Sequence, residues 1–104
     1  MIKIVENYSS ANYWYRKYSN GWIEQGGKEA KTFSTDETWE FIFPKQFASP
    51  PVFISATFIA PRKSDSVGGE VGIKKETVTA TGLTFLNDTY YNNKTGFMWE
   101  AKGY

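Results

Sequence analysis

The sequence contains neither cysteine nor histidine. Without cysteine it has no disulfide framework, no thiolate nucleophile and no cysteine-ligated zinc or iron–sulfur site. Without histidine it lacks the most frequent general base and the most frequent metal ligand of proteins. Leucine is also scarce, occurring only at Leu83 and Leu86, and β-branched and aromatic residues dominate the apolar runs instead. These absences count against nucleophile–base catalysis, and the composition favours strands over helices.

Neither sign of charge is in excess. The 104 residues include 12 Lys and Arg against 11 Asp and Glu, a net charge of +1. Such a chain has little long-range attraction for nucleic acid or for an anionic membrane surface. No run approaches the roughly 20 apolar residues of a membrane span, and the opening MIKIVENYSS lacks the apolar core of a signal peptide. We therefore predict no nucleic-acid partner, no membrane insertion and no signal peptide.

Aromatic residues are abundant, at 18% of the chain. Glycines and prolines divide the sequence into short pieces of strand length. The Asn20-Gly21 step between two aromatic-rich runs predicts a tight hairpin, because both residues tolerate positive φ. The Gly26-Gly27 pair predicts either the end of the second strand of that hairpin or a bulge in it. Residues 1–11 show only loose patterning and are interpreted as a lead-in or linker, which would be the end of any segment that precedes the domain.

Alternation of apolar and polar residues marks further strands. Trp39, Phe41 and Phe43 fall on one face of their run, and Phe97, Trp99 and Ala101 fall on one face of the last run. The predicted strands are Asn12–Tyr18, Trp22–Gln25, Thr38–Phe43, Val52–Ala60, Glu70–Lys75, Gly82–Asn87 and Gly96–Tyr104. About six or seven short strands joined by turns indicate an all-β fold, an antiparallel β-sandwich or barrel, in one domain over residues 12–104.

The candidates for catalysis are limited to carboxylates, hydroxyls and lysines. A glycosidase-like site needs two carboxylates facing across a cleft, and the pairs that come nearest to this are Glu70 with Asp65 and Asp36 with Glu40. A calcium ion could take oxygen ligands from Asp65, Asp88 and Glu37, although they lack the regular spacing of a dedicated loop. We predict no catalytic residues, no metal site, no cofactor and no enzymatic activity.

Four segments form a recognisable series. They are YRKYSNGWIEQGG (15–27), FIFPKQF (41–47) with PPVFISAT after it, TATGLTF (79–85) and FMWEAKGY (97–104). In this order they resemble the C-terminal tip domain of bacteriophage and prophage tail fibres. The resemblance implies an antiparallel β-sandwich similar to the H-type lectins, usually trimeric, which binds host-surface glycan at the distal end of the fibre. Within these motifs we expect structural roles for Trp22, Phe41, Phe43, Trp99 and Tyr104.

The function implied is multivalent, non-catalytic attachment to a host cell-surface glycan. The protein would then be part of a virion, at the tip of a tail fibre, after synthesis in the cytoplasm of the bacterial host. The alternative is a structural or protein-binding β-sandwich of a virion or prophage particle that has no glycan site. For a homotrimer, we expect contacts through the strand face bearing Phe53 and Ile59 and through the row formed by Tyr13 and Tyr15.

Sugar recognition needs aromatic faces beside polar side chains, and loops on a rigid sandwich are the usual place for them. Two loops have this composition, and strand direction places both at the same end of the sandwich. The predicted glycan-binding residues are Tyr90, Tyr91, Asn92, Asn93 and Asp88 in one loop, and Arg62, Lys63 and Asp65 in the other. The opposite end is a second candidate with fewer aromatic and hydrogen-bonding groups, represented by Asn20, Lys45, Gln46 and Ser49.

Overall fold

The computed structural model of the chain consists of antiparallel strands, and it describes residues 1–30, 37–59, 70–88 and 96–104. Its strands are β1 (Ile4–Ser9), β2 (Tyr13–Tyr18), β3 (Ile23–Ala30), β4 (Thr38–Ile42), β5 (Phe53–Ile59), β6 (Glu70–Ile73), β7 (Gly82–Asp88) and β8 (Gly96–Gly103). A five-stranded sheet has the order β1-β2-β3-β8-β5, and a three-stranded sheet has the order β4-β7-β6. The predicted fold, an antiparallel β-sandwich, is confirmed.

The hairpin between β2 and β3 turns at Asn20 and Gly21, as the sequence predicts. Gly21 has a φ of 91°, and its N–H donates to the carbonyl of Tyr18 at 2.9 Å. The N–H of Trp22 donates to Oδ1 of Asn20 at 3.1 Å. Glycine supplies the left-handed conformation and asparagine supplies a local acceptor, so both residues are suited to this turn.

Aromatic side chains fill most of the space between the sheets. Phe41 of the smaller sheet meets Trp99 of the larger sheet with ring centroids 4.8 Å apart, and Phe85 meets Phe97 at the same separation. These rings are steeply inclined to each other, as their quadrupoles favour. The buried apolar residues are Ile23, Phe41, Phe43, Phe47, Phe58, Leu83, Phe85, Phe97, Trp99 and Ala101. The alternation in β4 and β8 therefore predicted the correct core faces.

The larger sheet extends past the smaller one on the side of β1. Among the described residues, the hydrophobic core takes none from β1 or β2, and every residue of β1 is exposed. The sequence analysis placed residues 1–11 outside the strands, whereas residues 4–9 pair with β2 as an edge strand. Because neither face of β1 is buried, no selection for alternation acts on its sequence. We call strands β1 and β2 together the overhang.

The glycine pair Gly26-Gly27 does not end or bulge β3, contrary to the prediction. The strand continues to Ala30 and pairs without a break with β8. The glycines are required because other main chain lies very close. A Cβ atom on Gly26 would lie 2.8 Å from the carbonyl oxygen of Trp99, and one on Gly27 would overlap the carbonyl oxygen of Asn12. The pair permits close packing within the sheet.

A 3-10 helix at Lys75–Thr77 follows β6, so the strand predicted to reach Lys75 ends at Ile73 instead. The hydroxyl of Thr77 donates to the carbonyl of Lys74 at 2.6 Å, and the N–H of Thr84 donates to that hydroxyl at 2.8 Å. These bonds attach the segment to β7. Within the described ranges, the structure has no helix with the length and hydropathy of a membrane span.

Candidate ligand-binding surfaces

The first predicted site falls almost wholly outside the described residues. Asp88 is the last residue of β7, and its side chain is not described. The other predicted residues outside the described ranges are Tyr90, Tyr91, Asn92, Asn93, Arg62, Lys63 and Asp65. Of the residues considered for calcium, Asp65 and the side chain of Asp88 are likewise not described.

The strand ends that border this predicted site lie at one end of the sandwich. Ile59 is paired with Gly96 at the edge of the larger sheet, and Glu70 is paired with Asp88 in the smaller sheet. Phe85 and Phe97, which lie before and after residues 89–95 in the sequence, contact each other across the core. The described strand ends that flank residues 60–69 and 89–95 therefore lie at the same end of the sandwich.

The second predicted site, at the opposite end, is described and forms a groove. This end groove has a volume of about 440 Å³ and lies between the β2–β3 turn and residues 46–48. Asn20 and Gln46 line it, together with Lys17 and Tyr104. The sequence analysis missed Lys17 and treated Tyr104 as structural. No sequence pattern indicated that Tyr104 lies beside the hairpin tip, from which it is distant in sequence.

Local hydrogen bonds hold Tyr104 in the wall of the end groove. Its main-chain oxygen accepts hydrogen bonds from the N–H groups of Ala48 and Ser49 at 2.9 and 3.1 Å. Its ring packs edge-on against Trp22 with centroids 5.1 Å apart, and 49% of the residue remains exposed. Trp22 thus has the structural role expected of it, while Tyr104 combines that role with an accessible ring. Of the predicted residues, Ser49 contributes its main chain to this arrangement.

Lys45 was predicted at this end but points to the overhang. Its Nζ donates to Oε2 of Glu6 at 2.6 Å and lies 5.4 Å from the ring centroid of Tyr15. Its main-chain N–H and carbonyl are both hydrogen-bonded to the side chain of Gln25, at 3.0 and 2.7 Å. Gln25 is fully buried, so these bonds explain why the core tolerates a polar side chain there. They also fix the main chain from which the lysine extends.

Three tyrosines form a row on the face of the overhang that adjoins the core side of the larger sheet. The ring of Tyr8 stacks on Tyr13 with centroids 5.0 Å apart and on Tyr15 with centroids 5.6 Å apart. A hydrogen bond with Tyr8 raises the pKa of Tyr13 above its usual value. We call Tyr8, Tyr13 and Tyr15 the tyrosine shelf. The prediction that Tyr13 and Tyr15 form a row is confirmed, and Tyr8 extends it.

The ion pair between Lys45 and Glu6 places two opposite charges next to the tyrosine shelf. The hydrogen bond from Lys45 lowers the pKa of Glu6, and the positive charges of Lys45 and Lys17 act in the same direction. Glu6 is therefore a carboxylate at neutral pH, and the surface carries both signs of charge. Stacked rings beside an ammonium group and a carboxylate can bind a sugar or the surface of another protein. In the described ranges, no cluster of three acidic side chains is suited to a metal ion.

Comparison with solved structures gives several close matches in fold. An N-truncated R1-type pyocin tail fibre matches with a TM-score of 0.74, covering 95% of this chain and 84% of its own, at 19% identity. An N-truncated R2-type pyocin tail fibre matches with a TM-score of 0.71 at 20% identity, covering 95% of this chain and 37% of its own. A P. aeruginosa R1 pyocin fibre matches with a TM-score of 0.73 at 18% identity, covering 95% of this chain and 28% of its own.

The chain thus spans well under half the length of two of these fibre fragments. No protein-family model matches the sequence, and no curated protein matches it either. The structural matches show that this β-sandwich has the fold of a region of pyocin tail fibres. They confirm the tail-fibre resemblance at the level of the fold.

Proposed function

We propose that this chain is a receptor-binding tip domain of the tail fibre of a phage or phage-tail-like particle, and that it attaches to a glycan on the host surface. The observation that carries the proposal is the match of 95% of the chain to a pyocin tail fibre with a TM-score of 0.74. The ordered tail-fibre motifs of the sequence support it independently. The absence of histidine and cysteine is in keeping with binding without catalysis.

A shallow sugar site binds weakly, so attachment gains from several copies acting together. Linking copies increases avidity by about 10²–10⁴ without new contacts. The tyrosine shelf and the exposed Phe53, at the opposite edge of the same sheet, offer two different apolar surfaces. Contact between the shelf of one copy and the Phe53 face of the next is heterologous, and it closes into a ring of three when each copy is rotated by a third of a turn from the last. Our proposal is a homotrimer formed by such contacts.

For the glycan site we retain the loop residues around Tyr90 and Tyr91 as the first candidate. The strand ends that flank both candidate loops lie at one end of the sandwich, which supports a joint site. The end groove, with Asn20, Gln46 and Tyr104, is the second candidate. The two sites lie at opposite ends, so paired substitutions can distinguish them.

The attachment test measures adsorption of the fluorescently labelled domain to a panel of bacterial strains. The double variant Tyr90→Ala/Tyr91→Ala should lose adsorption to any strain that the unmodified domain binds. A second double variant, Asn20→Ala/Gln46→Ala, tests the end groove, and Lys74→Ala on the smaller sheet serves as the control. Loss in the second variant with full binding in the first would assign the site to the end groove. Adsorption to no strain would favour the structural or protein-binding alternative.

The trimer test uses light scattering on the purified domain. We expect a mass of three times the 11.9 kDa of the chain, and a reduction to one copy in Tyr8→Asp, which adds a charge to the tyrosine shelf. Ile42→Asp places the same charge on the outer face of the smaller sheet, where Ile42 is exposed, and should leave the mass unchanged. A strictly monomeric mass at high concentration would overturn the trimer proposal.

A further inference from the structure

A second groove opens on the outer face of the larger sheet, which is turned away from the smaller sheet. This outer groove has a volume of about 380 Å³, and its walls include Asn12, Trp14, Lys28, Met98 and Glu100. None of these residues belongs to either predicted glycan site. Met98 is 55% exposed, while its neighbours in sequence, Phe97 and Trp99, are buried on the opposite face.

Gly26 lies beneath the Trp14 ring, next to the outer groove. It is paired with Trp14 on β2 and with Glu100 on β8, so three adjacent strands contribute a tryptophan, a glycine and a glutamate in one row. A Cβ atom on Gly26 would lie 3.0 Å from Nε1 and Cζ2 of Trp14. The missing side chain therefore lets the indole lie against the sheet.

Neighbouring side chains hold Trp14 in place. The guanidinium of Arg16 lies 4.7 Å from the ring centroid of Trp14, and its Nη2 is 3.3 Å from Oε1 of Glu24. The hydroxyl of Tyr18 donates to the same oxygen at 3.0 Å. Burial alone would raise the pKa of Glu24, but hydrogen bonds and the charge of Arg16 lower it overall. The indole is thus positioned before a ligand arrives, which reduces the entropy lost on binding.

The turn between β1 and β2 closes one side of the outer groove and is ordered by its own hydrogen bonds. The hydroxyl of Ser10 accepts from the N–H groups of Asn12 and Tyr13, each at 3.2 Å, and donates to the carbonyl of Tyr13 at 3.1 Å. The N–H of Lys28 donates to the carbonyl of Asn12 at 2.9 Å. These bonds involve the main chain of Asn12, and its amide side chain is exposed at the groove.

The chemistry of the lining matches a sugar ring. The indole of Trp14 and the thioether of Met98 can pack against C–H groups. The ammonium of Lys28 donates, the carboxylate of Glu100 accepts, and the amide of Asn12 does both, as ring hydroxyls require. Glu100 is paired with Lys102 at 3.3 Å and Arg16 is paired with Glu24, so most of the charge around the groove is compensated, which favours a neutral ligand. The volume is near the lower limit of the about 300–1,000 Å³ found for small-molecule sites, so it suits one sugar unit better than a protein segment.

We propose that the outer groove binds one neutral pyranose unit of a host-surface polysaccharide. The proposal rests on the attachment function proposed above and adds to it a site on a rigid sheet rather than on a loop. Two sugar contacts in each chain would increase avidity along a repeating polysaccharide, because the second contact forms within a complex that already exists. The proposed ligand is an uncharged hexose or deoxyhexose, and sialic and uronic acids are not preferred ligands.

The test is a titration of the ¹⁵N-labelled domain with the methyl glycosides of glucose, mannose, galactose, rhamnose and glucuronic acid, followed by NMR. At least one neutral glycoside should shift the indole N–H of Trp14 and the amide signals of Asn12, Lys28 and Met98 in a saturable way. The expected dissociation constant is on the order of 1 mM. Glucuronide should bind more weakly. Saturable shifts that are confined to the end groove, or the absence of saturable shifts with all five glycosides, would overturn the proposal.

Variants distinguish a sugar contact from a general effect on the domain. Lys28→Ala removes a donor from the exposed rim and should weaken the interaction about five-fold, and Trp14→Phe should weaken it further while keeping a ring against Gly26. Lys74→Ala removes the same type of side chain from the other sheet and should bind as the unmodified domain does. Equal affinity of the Lys28→Ala variant and its Lys74→Ala control would contradict the proposed contact.

The two proposals can fail separately. If the unmodified domain adsorbs to cells but binds no glycoside in the outer groove, and every variant of that groove adsorbs normally, the groove proposal is wrong and attachment stands. If a neutral glycoside binds in the outer groove but the domain adsorbs to no strain, the groove proposal stands and the proposed host attachment fails.

Discussion

The sandwich core and the overhang both contain clusters of aromatic rings, but the two clusters differ in chemistry and exposure. Phe85 and Phe97 are completely buried between the sheets and are inclined at 62°. Tyr8 is 41% exposed and lies within 16° of parallel to Tyr15. A phenylalanine stabilises the fold only by burial, whereas a tyrosine keeps a polar group for water or a ligand. The buried phenylalanines therefore stabilise the fold, and the exposed tyrosines of the overhang are available to partners.

The largest effect that tests this comparison is expected at Phe97. Its ring contacts Trp39 at 5.3 Å and Phe85 at 4.8 Å between centroids. Phe97→Ala should lower the free energy of unfolding by about 3–5 kcal/mol, since it removes a buried ring and leaves a cavity. Urea denaturation measures the loss, with the smaller truncation Phe97→Leu available if the alanine variant does not fold. Ile42→Ala, at an exposed position, should change the value by about 0.5 kcal/mol or less. Similar losses in Phe97→Ala and Ile42→Ala would contradict the assignment of the core.

The second largest effect is expected at Gly26, which lies in β3, the strand that pairs with the overhang. Gly26→Ala would bring a methyl group within 2.8 Å of the Trp99 carbonyl and 3.0 Å of the Trp14 ring. Because one of these neighbours is main chain, we expect a loss of about 1–3 kcal/mol in the free energy of unfolding.

Gly72→Ala is the matched control, since its nearest neighbours would be 3.6 Å away. It should be neutral or stabilising by about 0.4–1 kcal/mol, because it restricts the unfolded chain. Denaturation curves that rank the two variants in the reverse order would show that Gly26 does not lie as close to Trp99 and Trp14 as described.

The same contrast explains which parts of the fold the sequence could predict. In β4 and β8, one face is buried against the other sheet, so Phe41 and Trp99 recur at alternate positions and identify the strands. In β1 no face is buried, and the sequence carries no equivalent signal. The glycine at position 26 indicated that the main chain is constrained there. However, glycine is found both at strand ends and where another stretch of main chain lies very close. Only the neighbouring strands distinguish these two cases.

The candidate sites were harder to predict than the fold. Composition alone identified Asn20 and Gln46 at the end groove, because polar residues near a turn are exposed. It placed Lys45 there too, but side-chain direction depends on Gln25, which is distant in sequence and holds the main chain of Lys45. The outer groove depends on the register of three strands, and a single sequence does not specify which residues become neighbours across strands.

The tyrosine shelf should contribute much less to stability than the core does. Tyr8→Ala removes two stacked contacts and should reduce the free energy of unfolding by about 1 kcal/mol. Tyr8→Phe keeps the ring and removes the hydroxyl, so it separates stacking from the hydrogen bond with Tyr13. These measurements require dilute protein, at which the proposed trimer has dissociated. A loss in Tyr8→Ala as large as that in Phe97→Ala would show that the overhang belongs to the cooperative core.

The smallest effect is expected at the ion pair between Glu6 and Lys45, which joins the overhang to the segment before β5. The hydrogen bond from Lys45 holds the pKa of Glu6 below its ordinary value of 4.5. A carboxyl with a lowered pKa in the folded state stabilises that state above the unfolded pKa, and the contribution disappears as the pH falls through the folded pKa. The urea midpoints of the unmodified protein and of Glu6→Gln should therefore differ above pH 4.5 and converge below it. Glu76→Gln, in the 3-10 helix, provides the control for a general effect of charge. A difference that increases as the pH is lowered, or a Glu6 carboxyl that titrates above 4.5 in the folded protein by ¹³C NMR, would contradict this attachment of the overhang.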